Sequence, residues 1–195
     1  MTCKKELSAV ILASGRGRRF GENKLLYPID GIAMVERLFI TIPTDLFKEV
    51  IVVSIYDEIL TMSEKHGYLP VHNDDTSGDI AKTIILGINA IDRYSDGCMF
   101  FTSDQPWLTS STVERLIGQF YNEPEKIHIP VCQGQSGNPV IFPKRFFADL
   151  CSLPPYYGGK HLVKKYPEAV SYLTVTNALE LKDVDIKEDL PPVST

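Results

Sequence analysis

At 195 residues, 44% hydrophobic and 23% charged, the chain is long enough for one sizeable core and short for two, and it reads as a single domain. A formal net charge of −5 and a pI near 5.4 leave no broad cationic surface, which excludes nucleic acid or an anionic membrane as the main partner. Any anion site must be local.

The chain begins with "MTCKKELSAVILASG", lysines ahead of an apolar run of only about six residues, too short for a signal peptide core or a membrane span. Cys3, Cys98, Cys132 and Cys151 form no CxxC pair, and no histidine stands at metal-ligand spacing from them. They read as reduced thiols of a cytoplasmic protein, against a disulfide or zinc framework.

Strands are expected at "AVILA" (9–13), "VIVVS" (50–54), "CMFFTS" (98–103), "IHIPV" (127–131), "PVIF" (139–142) and "AVSYLTV" (169–175), runs rich in β-branched residues. Helical spacing separates them in "AMVERLFITI", "DEILTMSEKHG" and "DIAKTIILGINAIDRY", where Ile80, Ile84, Ile88 and Ile91 fall on one stripe. In "SSTVERLIGQF", Ser111 and Glu114 have capping-box spacing and predict a further helix start. This alternation indicates an α/β sandwich around a mostly parallel sheet. The later Gly-, Pro- and aromatic-rich stretches "QGQSGNPVIFPK" and "LCSLPPYYGGKH" are expected to form a small mixed-sheet lobe. The terminal "EDLPPVST" reads as a frayed tail.

Between the first strand and helix lies "ASGRGRRFGENKLL". It fails as a P-loop, because Gly21 is followed by Glu22, Asn23 and only then Lys24. It fails as a dinucleotide fingerprint as well, since Phe20 stands at the third glycine position. What is left is a longer loop with Arg16, Arg18, Arg19 and Lys24 around a glycine-rich bend. Such a loop can wrap a triphosphate, with backbone donors from 14–17 and fixed charge from Arg19 and Lys24. Asp104, at the carboxyl end of a predicted strand in "TSDQPWLT", suits a hard cation that wants oxygen ligands or, alternatively, caps the turn before Pro106. His66, His72, His128 and His161 show no partner pattern, and Ser14 is not in a GxSxG elbow.

The stretch "LASGRGRRFGENKLL" resembles the signature of the MobA/MocA-type nucleotidyltransferases through Leu12, Ala13, Gly15, Gly17, Arg19, Gly21 and Lys24, with Ser14 and Phe20 as departures. The resemblance implies a Rossmann-like three-layer α/β/α fold of the nucleotide-diphospho-sugar transferase type. It implies a nucleotide-binding part over about 1–110 and an acceptor-binding part over about 111–195. It further implies that Leu12, Ala13, Ser14, Gly15, Arg16, Gly17, Arg19 and Lys24 bind a nucleoside triphosphate. Arg19, Lys24 and Asp104 would be catalytic. Asp104 would hold Mg²⁺, helped by Asp185 or, failing that, Asp183 in "LKDVDIKEDL". "SGDIAKTIILGI" is similar to the family's base- and ribose-contacting region, with Gly78 and Thr83 matching. It is equally an amphipathic helix packed on the sheet.

"SGNPVIF" resembles the family's acceptor segment, implying Gly137, Asn138 and Pro139 on the acceptor side. "LPPYYGGKH" adds Gly158, Gly159 and Lys160 but carries Tyr156 where the family has an acidic residue. The implied reaction is transfer of CMP from CTP to the phosphate of molybdopterin, releasing pyrophosphate, with docking to a molybdoenzyme or its chaperone as a further implication. GTP as donor, a sugar or alcohol phosphate as acceptor, and a nucleotide-binding molybdoenzyme partner without turnover are the alternatives.

Overall fold

A computed structural model describes residues 6–17 and 19–190; Cys3, Arg18 and the last five residues of the predicted tail lie outside them. In chain order the main elements are β1 (Leu7–Ala13), the short hairpin β2 (Pro28–Ile29) and β3 (Ile32–Ala33), α1 (Met34–Thr41), β4 (Val50–Ser54), α2 (Asp57–Lys65), β5 (Leu69–His72) and α3 (Ile80–Ala90). There follow β6 (Gly97–Thr102), α4 (Ser110–Asn122), β7 (Ile127–Cys132), β8 (Gln135–Ser136), β9 (Val140–Pro143), α5 (Phe147–Cys151), α6 (Lys160–Lys165) and β10 (Val170–Thr174).

One sheet carries the order β10-β7-β9-β6-β1-β4-β5, with β8 attached to β7. β1 runs parallel to β4 and β6, β4 parallel to β5, and β7 parallel to β10, while β9 is antiparallel to both β6 and β7. The mixed part anticipated from "QGQSGNPVIFPK" is thus a continuation of the central sheet, and the separate antiparallel sheet is the β2–β3 hairpin.

Strand alternation sorts the core into two layers. Ala9, Ile11, Val52, Met99 and Phe101 face α1, α2 and α4, where Leu38, Phe39, Ile59, Leu116 and Phe120 are buried. Val10, Ile51, Val53, Cys98 and Phe100 face α3, α5 and α6, which contribute Ile84, Ile88, Leu150 and Leu162. The predicted isoleucine stripe is the packed face of α3, with Ile80 and Ile91 only partly buried at its ends. Gly87 lies where α3 crosses β1, and a Cβ there would come within 2.5 Å of Val10 Cγ1.

Two local expectations are corrected. α4 is capped by Thr109, whose Oγ1 accepts from Thr112 N, so Ser111 sits inside the first turn and caps nothing. The reason is burial: the Thr109 and Thr112 hydroxyls both donate to the buried Glu180 carboxylate, which sets the start of the helix. β5 and β8 were not expected as strands. β5 is a mostly exposed edge strand carrying Pro70, so it lacks the apolar run that marks an inner strand.

Candidate functional site

The carboxyl ends of β1, β4 and β6 lie side by side, and the chain leaves them by loops. That crevice is the usual ligand position of open parallel sheets. After β1, Ser14 is buried and its Oγ donates to Val53 O at 3.3 Å. The loop then folds over itself at Gly17, whose φ of +54° and whose missing Cβ, 3.1 Å from Glu22 O if present, leave room for no larger residue. Phe20 is buried edge-on against Tyr27 and packs with Ile29, Met34 and Val184, so the departure from the family pattern is a hydrophobic anchor for the loop.

This folding turns Lys24 inward on a short 3₁₀ turn that Asn23 caps. Lys24 is only 6% exposed. Its ammonium donates to Asp104 Oδ2 at 2.9 Å, Val184 O at 2.8 Å and Asp185 Oδ1 at 3.1 Å, which uses all three protons. Burial alone would lower the Lys24 pKa; the Asp104 charge and hydrogen bond, with those of Asp185, outweigh it and hold the pKa above its ordinary value. Arg19, largely in solvent, donates to the other oxygen of Asp185 at 2.8 Å.

The segment after residue 179 reaches this point because it is tied back to the end of β6. Gln105, 2% exposed, donates to Leu181 O at 3.1 Å and Asp183 Oδ1 at 2.9 Å, and Val184 N donates to Asp104 O. Asp183 is exposed as a residue, yet partial desolvation of its carboxylate and the neighbouring Asp104 charge raise its pKa.

Two cavities meet here. The first, 240 Å³, is lined by Leu12, Ser14, Gly15, Gly17, Arg19, Lys24, Gly78, Thr83, Asp104 and Asp185 among others. The second, 230 Å³, is lined by Asn138, Gly158, Gly159 and Lys160 together with the hydrophobic wall of Phe100, Val140 and Phe142. Leu12, Ile80 and Thr102 line both. Most of the predicted nucleotide and acceptor residues are thereby brought together. Ala13, Arg16, Gly137 and Pro139 are not part of either wall: Ala13 is core, Arg16 is exposed, and Gly137 packs on Leu181 beside the cis Asn138–Pro139 bond.

Several contributors were not anticipated. Asn73, 2% exposed, donates through Nδ2 to both Ser14 Oγ and Thr83 Oγ1 at 3.2 Å, fixing the two hydroxyls. Asp79 caps α3 and also accepts from Tyr156 N at 2.7 Å, which docks the Tyr156 loop on the helix. Neither residue announces itself in sequence, since each acts on an element distant in the chain.

Among the described residues no group of three or more His, Cys, Asp or Glu forms a ready-made metal site. Asp104 Oδ1, however, is buried and has no hydrogen-bond partner. A buried unpaired carboxylate oxygen is costly unless a cation or donor meets it. With the half-exposed Asp185 nearby through Lys24, the donor set fits a hard cation that takes one or two carboxylates and completes its shell with water and phosphate oxygens.

A family model described as "MobA-like NTP transferase domain" matches residues 9–170. A probable molybdenum cofactor guanylyltransferase of Bacillus cytotoxicus is 28% identical over 138 residues, covering 67% of this chain and 65% of that protein, just under two thirds of its length. The crystal structure of a Mycobacterium tuberculosis Rv0371c homologue from Mycobacterium sp. strain JC1 superposes with a TM-score of 0.82 at 25% identity over 94% of this chain and 92% of that one. The M. tuberculosis Rv0371c complex with manganese gives 0.77 at 20% identity, over 95% and 96%.

Proposed function

Because the chain belongs to the MobA-like NTP transferase family, we propose that it transfers a nucleoside monophosphate from a nucleoside triphosphate to the phosphate of a molybdopterin-type cofactor, releasing pyrophosphate. The observation that carries this reading is the position of Lys24, Arg19 and Asp104 on the wall of a cleft that opens into a second cavity. A triphosphate in the first would present its α-phosphorus to an acceptor in the second.

In that reaction an acceptor phosphate oxygen attacks the α-phosphorus; the new P–O bond forms as the α–β bridging bond breaks and pyrophosphate leaves with the electron pair. Both reactants are anions, so the chain's task is positioning and charge neutralisation. Arg19 and the 14–17 backbone hold the outer phosphates. Lys24, kept protonated by its carboxylate neighbours, exchanges a carboxylate for a phosphoryl oxygen as charge develops. Asp104, with Asp185, would hold a divalent cation such as Mg²⁺, which would supply positive charge to offset that of the phosphates. A phosphate monoester is already ionised at neutral pH, so no general base is called for. Lys160, exposed on the wall of the second cavity, supplies the acceptor side with a cation.

The donor base is read first as guanine, on the name of the Bacillus relative. Cytosine is the second reading, supported by the similarity of "GNPVIF" and "KDVDIKEDL" to the cytidylyl branch of the family. A pyrophosphate-release assay pairing each NTP and Mg²⁺ with molybdenum cofactor, and with sugar phosphates, tests both. Release with GTP and the cofactor is the expected result, release only with CTP selects the second reading, and no release from any pair refutes transfer.

A further inference from the structure

Four hydroxyl side chains line the nucleotide-side cavity: Ser14, Thr83, Thr102 and Ser103. Three are committed to the protein. Ser14 donates to Val53 O, Thr83 to Asp79 O, and Ser103 to Leu12 O. Thr102 differs: its Oγ1 is buried and has no hydrogen-bond partner. A hydroxyl in that state loses its bonds to water and gains none in return, a cost of about 1–3 kcal/mol. The residue as a whole is only partly buried, so a turn about χ1 brings the hydroxyl to a ligand in the cavity and removes that cost.

The position of Thr102 is equally distinctive. It pairs with Leu12 in the β1–β6 register, on the sheet face shared with Phe100. With Leu12 and Ile80 it lines both cavities, and it is the one polar side chain of the three. Two residues on is Asp104, whose Oδ1 is the other unpartnered oxygen in this wall. Donor and acceptor orphans thus lie two residues apart, Thr102 on the wall common to both cavities and Asp104 on the wall of the first.

We propose that Thr102 is a substrate-contacting residue whose hydroxyl donates a hydrogen bond to a non-bridging oxygen of the phosphoryl group in transit. Thr102 keeps its proton throughout; it stabilises charge on the pentacoordinate phosphorus as the acceptor oxygen bonds and pyrophosphate departs. This rests on the nucleotidyl-transfer reading for the reaction, though the contact itself requires only that a nucleotide α-phosphate reach the junction.

The test compares wild type, Thr102→Val and Thr102→Ser in the full chain, reading melting temperature, GTP and CTP affinity by calorimetry, and steady-state turnover. Valine is nearly isosteric and deletes the hydroxyl, so the melting temperature should stay level or rise. Turnover should fall at least tenfold and more than nucleotide affinity does, and serine should restore most of it. Val matching wild type in both affinity and turnover overturns the assignment, as does a drop in melting temperature that accounts for the lost activity. If wild type binds nucleotide but turns nothing over, the transfer reading fails while the affinity comparison still decides the Thr102 contact: several-fold weaker binding in Val supports it, equal binding ends it. No nucleotide binding by wild type removes both.

Discussion

Asp185 holds two cations at once, accepting from Lys24 Nζ at 3.1 Å through Oδ1 and from Arg19 Nη2 at 2.8 Å through Oδ2. Its carboxylate therefore occupies the place between Arg19 and Lys24 that the proposed function gives to a phosphate group. Without metal, Asp185→Asn should tighten NTP binding, since removing one like charge near 4 Å is worth about 1 kcal/mol in a water-like medium, roughly fivefold. With metal, turnover should fall, because the second carboxylate proposed for the cation is lost. Titration calorimetry with and without Mg²⁺ checks both signs; weaker metal-free binding would show that Asp185 orients the cations and does not compete for them.

Lys24 is the buried member of a pair with the partly exposed Asp104. Lys24→Met leaves Asp104 without its cation, and with solvent reaching the carboxylates the expected loss is about 1–3 kcal/mol of stability. Turnover should fall about a hundredfold or more, beyond any loss of NTP affinity. The Lys24 pKa is raised above 10.5, so its contribution is complete below that pH and disappears as pH rises through the higher folded value. Thermal melts should show a constant gap between wild type and variant from neutral pH up to about pH 10, narrowing only above it.

Much of this arrangement was legible in sequence because strong local signals carry it. The β-branched runs became strands, all but the last of them inside the sheet, the Gly17–Lys24 spacing became a loop that turns Lys24 inward, and Asp104 fell just past the end of β6 where a strand-ending Asp-x-Pro places it. What sequence could not show depends on contacts between distant segments. Asn73 follows an exposed edge strand yet fixes Ser14 and Thr83; Gln105 looks like one polar residue of a turn yet ties down Asp183. The Ser111 capping box failed for the same reason, since Glu180, 68 residues on from Thr112, decides where α4 begins.

Two helical glycines should respond in opposite directions to alanine. At Gly87 a Cβ would stand 2.5 Å from Val10 Cγ1 with β1 behind it, so overpacking outweighs helix propensity and Gly87→Ala should lose about 1–2 kcal/mol. Gly118, in α4, meets nothing within 4 Å. There Ala should gain about 0.5–1 kcal/mol. Denaturant melts of the two variants suffice, and equal shifts would contradict the close crossing of α3 on β1.

The raised pKa of Asp183 makes a prediction of unusual sign. Desolvation and Asp104 favour its neutral form, so the folded state binds a proton that the unfolded state releases above 3.8, and stability falls as pH rises from there through the folded pKa. Asp183→Asn keeps an acceptor for Gln105 and removes the charge. It should stabilise the protein at pH 7 by a few tenths of a kcal/mol, solvent at Asp183 keeping the gain small, and the gain should vanish below about pH 4. A loss at pH 7 would mean that the carboxylate is held by a cation.

Asp79 joins the two cavities mechanically. One oxygen, Oδ1, accepts from Ala81 N at 2.9 Å, capping α3, and from Tyr156 N at 2.7 Å, pinning the loop that leads to Gly158, Gly159 and Lys160. Tyr156 has a φ of +68°, a backbone state that a tyrosine adopts only when something holds it there. Asp79→Ala removes the cap, worth about 1 kcal/mol, and frees the loop. Because Gly158 to Lys160 line the second cavity, proposed for the acceptor, and not the first, KM for the acceptor should rise several-fold while KM for the NTP changes by less than about twofold. Asp79→Asn retains an oxygen in the same place and should restore acceptor KM, which a general loss of stability would not. An equal rise in both KM values would show that Asp79 acts through α3 and Thr83, with the Tyr156 loop a bystander.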